Sequence, residues 1–161
     1  MKTHHFGMTV HSIDETQRFY EKHFGFTPSR QEPILISDSW FGEGVEREGA
    51  QVKLAWLVRD DAVIELHEYI VPADGRRLAP HIDDVGAPHI AFKVDDIDAV
   101  YAALTAEGIR FYSPVKEVAP DGSAAALGGI KWCYAEDPNG YILELFAEPP
   151  GGEIDWTQRM A

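Results

Sequence analysis

The chain has 161 residues, of which 45% are hydrophobic and 11% aromatic, so one compact domain or two half-domains of a single core are expected. Its 14 Lys and Arg stand against 27 Asp and Glu, and the net charge of −13 makes a nucleic acid or an anionic membrane an unfavourable partner. The single cysteine, Cys133, excludes an intrachain disulfide and a thiolate zinc cluster. With no signal-peptide pattern and no long apolar run, the sequence predicts a soluble cytoplasmic protein.

The segment His5–Asp14 is repeated without a gap at His89–Asp98. Each copy starts with a histidine, continues as a strand that alternates apolar and other residues, and reaches Ile-Asp where a helix would start. Ser12 and Asp96 are placed to cap these two helices. Apolar residues at helical spacing predict the helices themselves, each of which ends before a glycine.

The two halves also end alike, in a strand that carries a glutamate at its centre. Val63–Leu66 corresponds to Ile142–Leu145, and a hairpin signal precedes each of them. Strands over residues 52–58 and 130–135 lead into these acidic strands, the second through the turn sequence at 137–140. Each half is therefore predicted to have the element order β-α-β-β-β.

Turn and linker residues between the copies place a boundary near residues 71–87. The predicted organisation is a first module over 1–70, a linker over 71–87, a second module over 88–147 and a tail over 148–161. Two irregular segments, 37–49 and 114–129, are longer than a hairpin requires and occupy matching places in the modules. Such segments are either binding loops or simple surface insertions.

Histidine and glutamate occupy matching positions in the two modules. His5 and His89 each start the first strand, and Glu65 and Glu144 each lie in the middle of an otherwise apolar last strand. Burying a charged carboxylate in such a strand costs free energy unless a cation or a metal ion neutralises it. Two imidazoles and two carboxylates suit one divalent ion of zinc, nickel, cobalt, manganese or iron, and they leave two positions of a six-coordinate ion for water or substrate.

These residues and several motifs resemble the vicinal oxygen chelate superfamily, which includes glyoxalase I, methylmalonyl-CoA epimerase, extradiol dioxygenases and the bleomycin and fosfomycin resistance proteins. The resemblance covers about residues 3–147 and rests on His5-Phe6-Gly7, Phe19-Tyr20 with Gly25-Phe26, Ile64-Glu65-Leu66, His89-Ile90-Ala91-Phe92 with Val94-Asp95-Asp96-Ile97, and Asp137-Pro138-Asn139-Gly140 with Glu144-Leu145. It implies an α+β fold of tandem βαβββ modules whose mixed sheets curl around a metal cleft. The implied ligands are His5, Glu65, His89 and Glu144, and the implied assembly is a homodimer.

A fourth, anionic ligand at Glu65 resembles the branch of glyoxalase I and the epimerase, which implies a lyase or isomerase that moves a proton on a small α-oxygenated carbonyl substrate chelated to the metal. In this branch Glu144 is the implied base, and Glu65 would return the proton on the other face. Strand alternation puts His67 on the face of Glu65, as a substrate contact or an alternative ligand. Thr9 stands where bacterial glyoxalase I has its glutathione-binding arginine, which disfavours a glutathione substrate. Lys53 stands where the epimerase has its glutamate base, which disfavours a coenzyme A substrate.

Two other functions stay open at this point. An extradiol Fe(II) dioxygenase would use His5, His89 and Glu144 and would leave Glu65 without a role. A non-enzymatic protein that sequesters a drug or another small molecule would typically lack the metal ligands, and the presence of all four residues argues against it.

Aromatic residues in the two hairpins, Trp56, Trp132 and Tyr134, are more typical of a core than of a substrate platform. The register of these strands is open by one residue, so the face to which each ring points is not predicted. Cys133 is expected to be a small buried apolar residue.

Overall fold

The structure, a computed structural model, describes residues 2–60, 62–78 and 80–152, so most of the predicted tail, 153–161, lies outside the described residues. The chain divides into two compact units, Met1–Leu78 and Ala79–Ala161, and the division falls within the range predicted as a linker. Within the described ranges, none of the helices has the length and apolar character that crossing a bilayer requires.

The described residues of the first unit form one mixed sheet and two helices. Its elements are β1 (Phe6–Thr9), α1 (Ile13–Phe24), β2 (Thr27–Pro28), β3 (Ile34–Ile36), α2 (Ser39–Gly44), β4 (Gln51–Arg59) and β5 (Ala62–Val71). The sheet order is β1-β5-β4-β2, with β1 parallel to β5 and β3 also paired with β4. Two short strands thus share the β4 edge where one strand was predicted, and α2 lies in the segment predicted to be irregular.

The second unit has the predicted βαβββ order. Its elements are β6 (His89–Lys93), α3 (Ile97–Ala106), β7 (Lys116–Glu117), β8 (Lys131–Glu136) and β9 (Ile142–Ala147), with a short 3₁₀ turn at Ala125–Leu127. The sheet order is β6-β9-β8-β7, and β6 is parallel to β9 as β1 is to β5. The α+β class with mixed sheets, which the resemblance implied, is confirmed.

The two long helices begin at the predicted caps. Ser12 Oγ accepts a hydrogen bond from the backbone N–H of Glu15 at 3.2 Å, and Asp96 Oδ1 accepts one from Ala99 N–H at 2.9 Å. At the other end of α1, Gly25 ends the helix with a φ of 65°. Glycine adopts this left-handed conformation without the steric strain that a side chain would add. In each unit, three residues separate the end of the first strand from the start of its long helix.

Alternation along the last strand of each unit separates a buried face from the face that carries the glutamate. In β5, Ile64 and Leu66 are almost fully buried, and α1 packs on this strand. In β9, Leu143 and Leu145 are buried in the same way, and α3 packs there. Each sheet thus covers one face with its long helix and leaves the glutamate side chain on the other.

Candidate functional site

In the first unit, His5 and Glu65 form a close pair. His5 directly precedes β1, and the parallel register aligns Gly7 with Glu65 on β5. The imidazole Nε2 lies 3.1 Å from Glu65 Oε2, with the histidine side chain 36% and the glutamate side chain 14% exposed. Because Gly7 has no side chain, the sheet surface beside the carboxylate stays open.

The second unit repeats this arrangement. His89 is the first residue of β6, and Ala91, two residues further on, lies opposite Glu144 on β9. Here too, Nε2 of the histidine lies 3.1 Å from Oε2 of the glutamate. The residues that the repeat matched thus form two histidine–glutamate pairs, with the same atoms at the same separation.

The geometry of each pair fits a divalent metal ion. Metal bonds of about 2.1 Å to nitrogen and oxygen, set at right angles, place neighbouring ligand atoms about 3.0 Å apart. Imidazole and carboxylate are also the donor types that zinc, manganese and iron accept. In the part of the chain that the structure describes, no group of three or more His, Cys, Asp or Glu side chains could hold a metal ion. The structure thus gives two histidine–glutamate pairs. Their joint use as ligands of one metal ion stays a prediction.

Two further histidines approach the first pair. His67 lies two residues after Glu65 on the same face of β5, and its Nε2 is 2.8 Å from the same Oε2 that His5 approaches. Nδ1 of His4 lies 2.8 Å from Nδ1 of His5, so His4 orients the ring whose Nε2 faces Glu65. The predicted position of His67 is thus confirmed, and its contact with substrate stays a prediction.

The face of the second sheet that carries Glu144 lines a cavity of about 480 Å³. Its sheet wall consists of five side chains from three adjacent strands: Ala91, Trp132, Tyr134, Glu144 and Phe146. Its remaining wall consists of aliphatic side chains from the segment that connects β7 to β8: Val118, Leu127 and Ile130. Trp132 and Tyr134 therefore line a binding-sized space, and the predicted irregular segment 114–129 contributes to its wall.

Tyr134 lies directly beside the second pair, because it is the cross-strand partner of Glu144. The His89 ring meets the tyrosine ring edge-on, with 5.7 Å between the ring centres, and Trp132 does so from the other side at 5.4 Å. Burial, with a further contribution from the Glu144 charge, raises the pKa of the Tyr134 hydroxyl. The hydroxyl therefore stays a neutral hydrogen-bond donor at physiological pH.

Lys53, which aligns with the epimerase base, does not face Glu65. It is the cross-strand partner of Glu68, and its Nζ lies 3.4 Å from Glu68 Oε1. The other oxygen of Glu68 accepts a hydrogen bond from the backbone N–H of Ile13 at 2.8 Å, at the start of α1. Trp56 is the β4 residue opposite Glu65. The Lys53–Glu68 pair thus supports the helix on the opposite face of the sheet.

The family model of the Glyoxalase/Bleomycin resistance protein/Dioxygenase superfamily matches residues 2–145. The chain belongs to this superfamily. The resemblance drawn from the motifs is therefore confirmed, and the matched range includes His5, Glu65, His89 and Glu144. No curated protein matches the chain in sequence.

Solved structures of superfamily members share the fold. A glyoxalase family protein from Bacillus cereus is 21% identical with a TM-score of 0.76, over 92% of this chain and 95% of that one. A glutamate-to-glutamine variant of glyoxalase I from Zea mays is 19% identical with a TM-score of 0.61, over 89% of this chain and 44% of that one. A similar variant of the fosfomycin resistance protein FosX from Listeria monocytogenes, complexed with Mn(II) and 1S,2S-dihydroxypropylphosphonic acid, is 16% identical with a TM-score of 0.60, over 91% and 90%.

Proposed function

We propose that the chain is a metal-dependent vicinal oxygen chelate enzyme that moves a proton on a small α-oxygenated carbonyl compound. The observation that carries this proposal is the histidine–glutamate pair with a 3.1 Å separation, which recurs at duplicated positions in both units. A single partly exposed pair of this kind contributes little to stability. Its repetition in a chain of this superfamily supports a shared chemical role.

The proposed cofactor is one divalent ion, of zinc, nickel, cobalt, manganese or iron, with His5, Glu65, His89 and Glu144 as ligands. When bound, such an ion supplies Lewis-acid stabilisation of negative charge on two neighbouring substrate oxygens. The FosX structure supports this choice, because that protein was solved with Mn(II) and a compound that carries two adjacent hydroxyl groups.

Glu144 is the proposed base, which takes the proton from the carbon next to the substrate carbonyl. Its side chain is 21% exposed and lines the cavity of the second unit, so a substrate bound there would meet it directly. Glu65 is the proposed residue that returns the proton. His67, 2.8 Å from Glu65 Oε2, can share that proton and restricts the motion of the carboxylate.

Exchange of the substrate α-proton with solvent tests the proton-transfer proposal. The metal-loaded protein is incubated in D₂O with 2-hydroxyacetophenone, and the loss of the α-proton signal is followed by ¹H NMR. We expect Glu144→Gln to slow the exchange by about 10²-fold or more. Glu68→Gln is the matched control, because Glu68 is on the same strand as Glu65 but faces the helix side. Absence of exchange in the wild type with every divalent metal would contradict the proposal.

Oxygen consumption distinguishes the dioxygenase alternative. The proposed proton transfer consumes no oxygen, whereas ring cleavage of a catechol by Fe(II) does. The extradiol reaction needs three protein ligands and no fourth one. Oxygen consumption that requires iron, His89 and Glu144 and that persists in Glu65→Gln would therefore show this reaction.

A further inference from the structure

We propose that the cavity of the second unit selects an uncharged, apolar substrate body, so that the substrate class is neutral aryl or branched alkyl α-oxygenated carbonyl compounds. The inference rests on the proposed function for the reacting end of the substrate. Binding of the apolar body depends on the cavity alone.

The walls of the cavity suit an apolar group. Trp132 and Phe146 are cross-strand partners that contribute two aromatic side chains, and Leu127 and Ile130 contribute aliphatic surface. At about 480 Å³, the cavity is in the size range of small-molecule sites. Each ligand methylene buried against such walls is worth about four-fold in affinity.

The charges around the cavity disfavour an anion. Apart from Glu144, the proposed metal ligand at the reacting end, the lining side chains carry no formal charge, so an anionic group on the substrate body would lose its hydration without gaining a counterion. Two lysines of the same sheet are paired with carboxylates: Lys93 Nζ lies 2.5 Å from Glu148 Oε2, and Lys131 Nζ lies 2.6 Å from Asp98 Oδ2. A phosphonate or a carboxylate would therefore find no cation among the lining residues.

The polar side chains of the cavity fix the orientation of the ligand. Glu144 and Tyr134 are cross-strand partners, so a carboxylate and a hydroxyl donor lie side by side on the sheet. Trp132 and Phe146 form the next pair along the same two strands. The carbonyl end of a substrate would thus lie at Glu144, with its apolar body against the two rings.

Calorimetric titration of the chelator-treated protein with acetophenone and with 4-acetylbenzoate tests the selectivity, because the two probes share the carbonyl end and differ by a carboxylate on the ring, the part proposed to lie against Trp132 and Phe146. We expect acetophenone to bind at least ten-fold more tightly. Ala91→Leu fills the space beside Glu144 and should weaken acetophenone binding at least ten-fold. Ala62→Leu, an exposed alanine at the start of β5, is the matched control and should leave the affinity unchanged.

Val118→Lys provides a second variant at a partly exposed wall position, and it should shift the preference towards 4-acetylbenzoate. Equal or tighter binding of 4-acetylbenzoate by the wild type, or an unchanged preference in Val118→Lys, would overturn the inference. Selective acetophenone binding without any metal binding would contradict the proposed function alone. Metal binding and proton exchange without this selectivity would contradict the inference alone.

Discussion

Nε2 of His67 lies 2.8 Å from Oε2 of Glu65, the oxygen that the His5 imidazole also approaches. In the second unit the corresponding position, two residues after Glu144, is Phe146. The two glutamates thus differ in their surroundings although their histidine partners are equivalent. Glu65 has an additional imidazole within hydrogen-bond distance, whereas Glu144 faces the cavity of the second unit.

His67→Phe gives the first unit the residue found in the second, and we expect it to weaken metal binding by about 10- to 100-fold. The reason is that the Glu65 carboxylate loses the imidazole that orients it, while the proposed ligands are kept. Competition with a chelator of known affinity measures the change. His11→Phe, at an exposed position, is the control, and an equal effect of the two substitutions would contradict the assigned role of His67.

Asp137 fixes the turn that leads into β9 and hence the position of Glu144. Its side chain is buried, and Oδ1 accepts hydrogen bonds from the backbone N–H groups of Asn139 and Tyr141, each at 2.8 Å. Asp137→Ala removes both bonds and should lower the free energy of unfolding by about 2–4 kcal/mol, as urea denaturation would measure. Asp137→Asn keeps an acceptor oxygen and should cost about 1 kcal/mol; equal losses in the two variants would be contrary to this account.

Cys133 gives the fold a pH-dependent contribution to stability. Burial, and to a lesser degree the Glu144 and Asp98 charges, raise the pKa of its thiol from 9.0 to about 11. In the unfolded chain the thiol ionises near its ordinary pKa, so the contribution is complete below about pH 9 and is lost as the pH rises towards 11. We expect wild type to lose more stability than Cys133→Ala between pH 8 and about 10.5 in urea titrations. Parallel losses would refute the assignment.

The histidine–glutamate pairs could be predicted because the internal repeat shows each residue type twice. His5 and Glu65 alone would be ordinary strand residues, but His89 and Glu144 at matching positions make a shared role the simpler explanation. His4 has no counterpart in the second copy, so its contact with His5 became visible only in the structure.

Elements that depend on distant contacts could not be predicted. The helix Ser39–Gly44 contains two glycines in six residues and has little intrinsic helical tendency. It is stabilised by Phe41, which packs with Ala50 and with Val52 of β4. The cavity could not be predicted from the sequence either, because a shift of one residue in the β8 register would turn Trp132 and Tyr134 to the other face of the sheet.

The metal content of the purified, untagged protein, by elemental mass spectrometry after reconstitution with each divalent metal, tests the central claim most directly. We expect about one ion per chain in the wild type and in Glu68→Gln, and a marked loss in both Glu65→Gln and Glu144→Gln. That result would show that the pairs of both units serve one site. Absence of metal in the wild type, or binding that survives both substitutions, would contradict the claim.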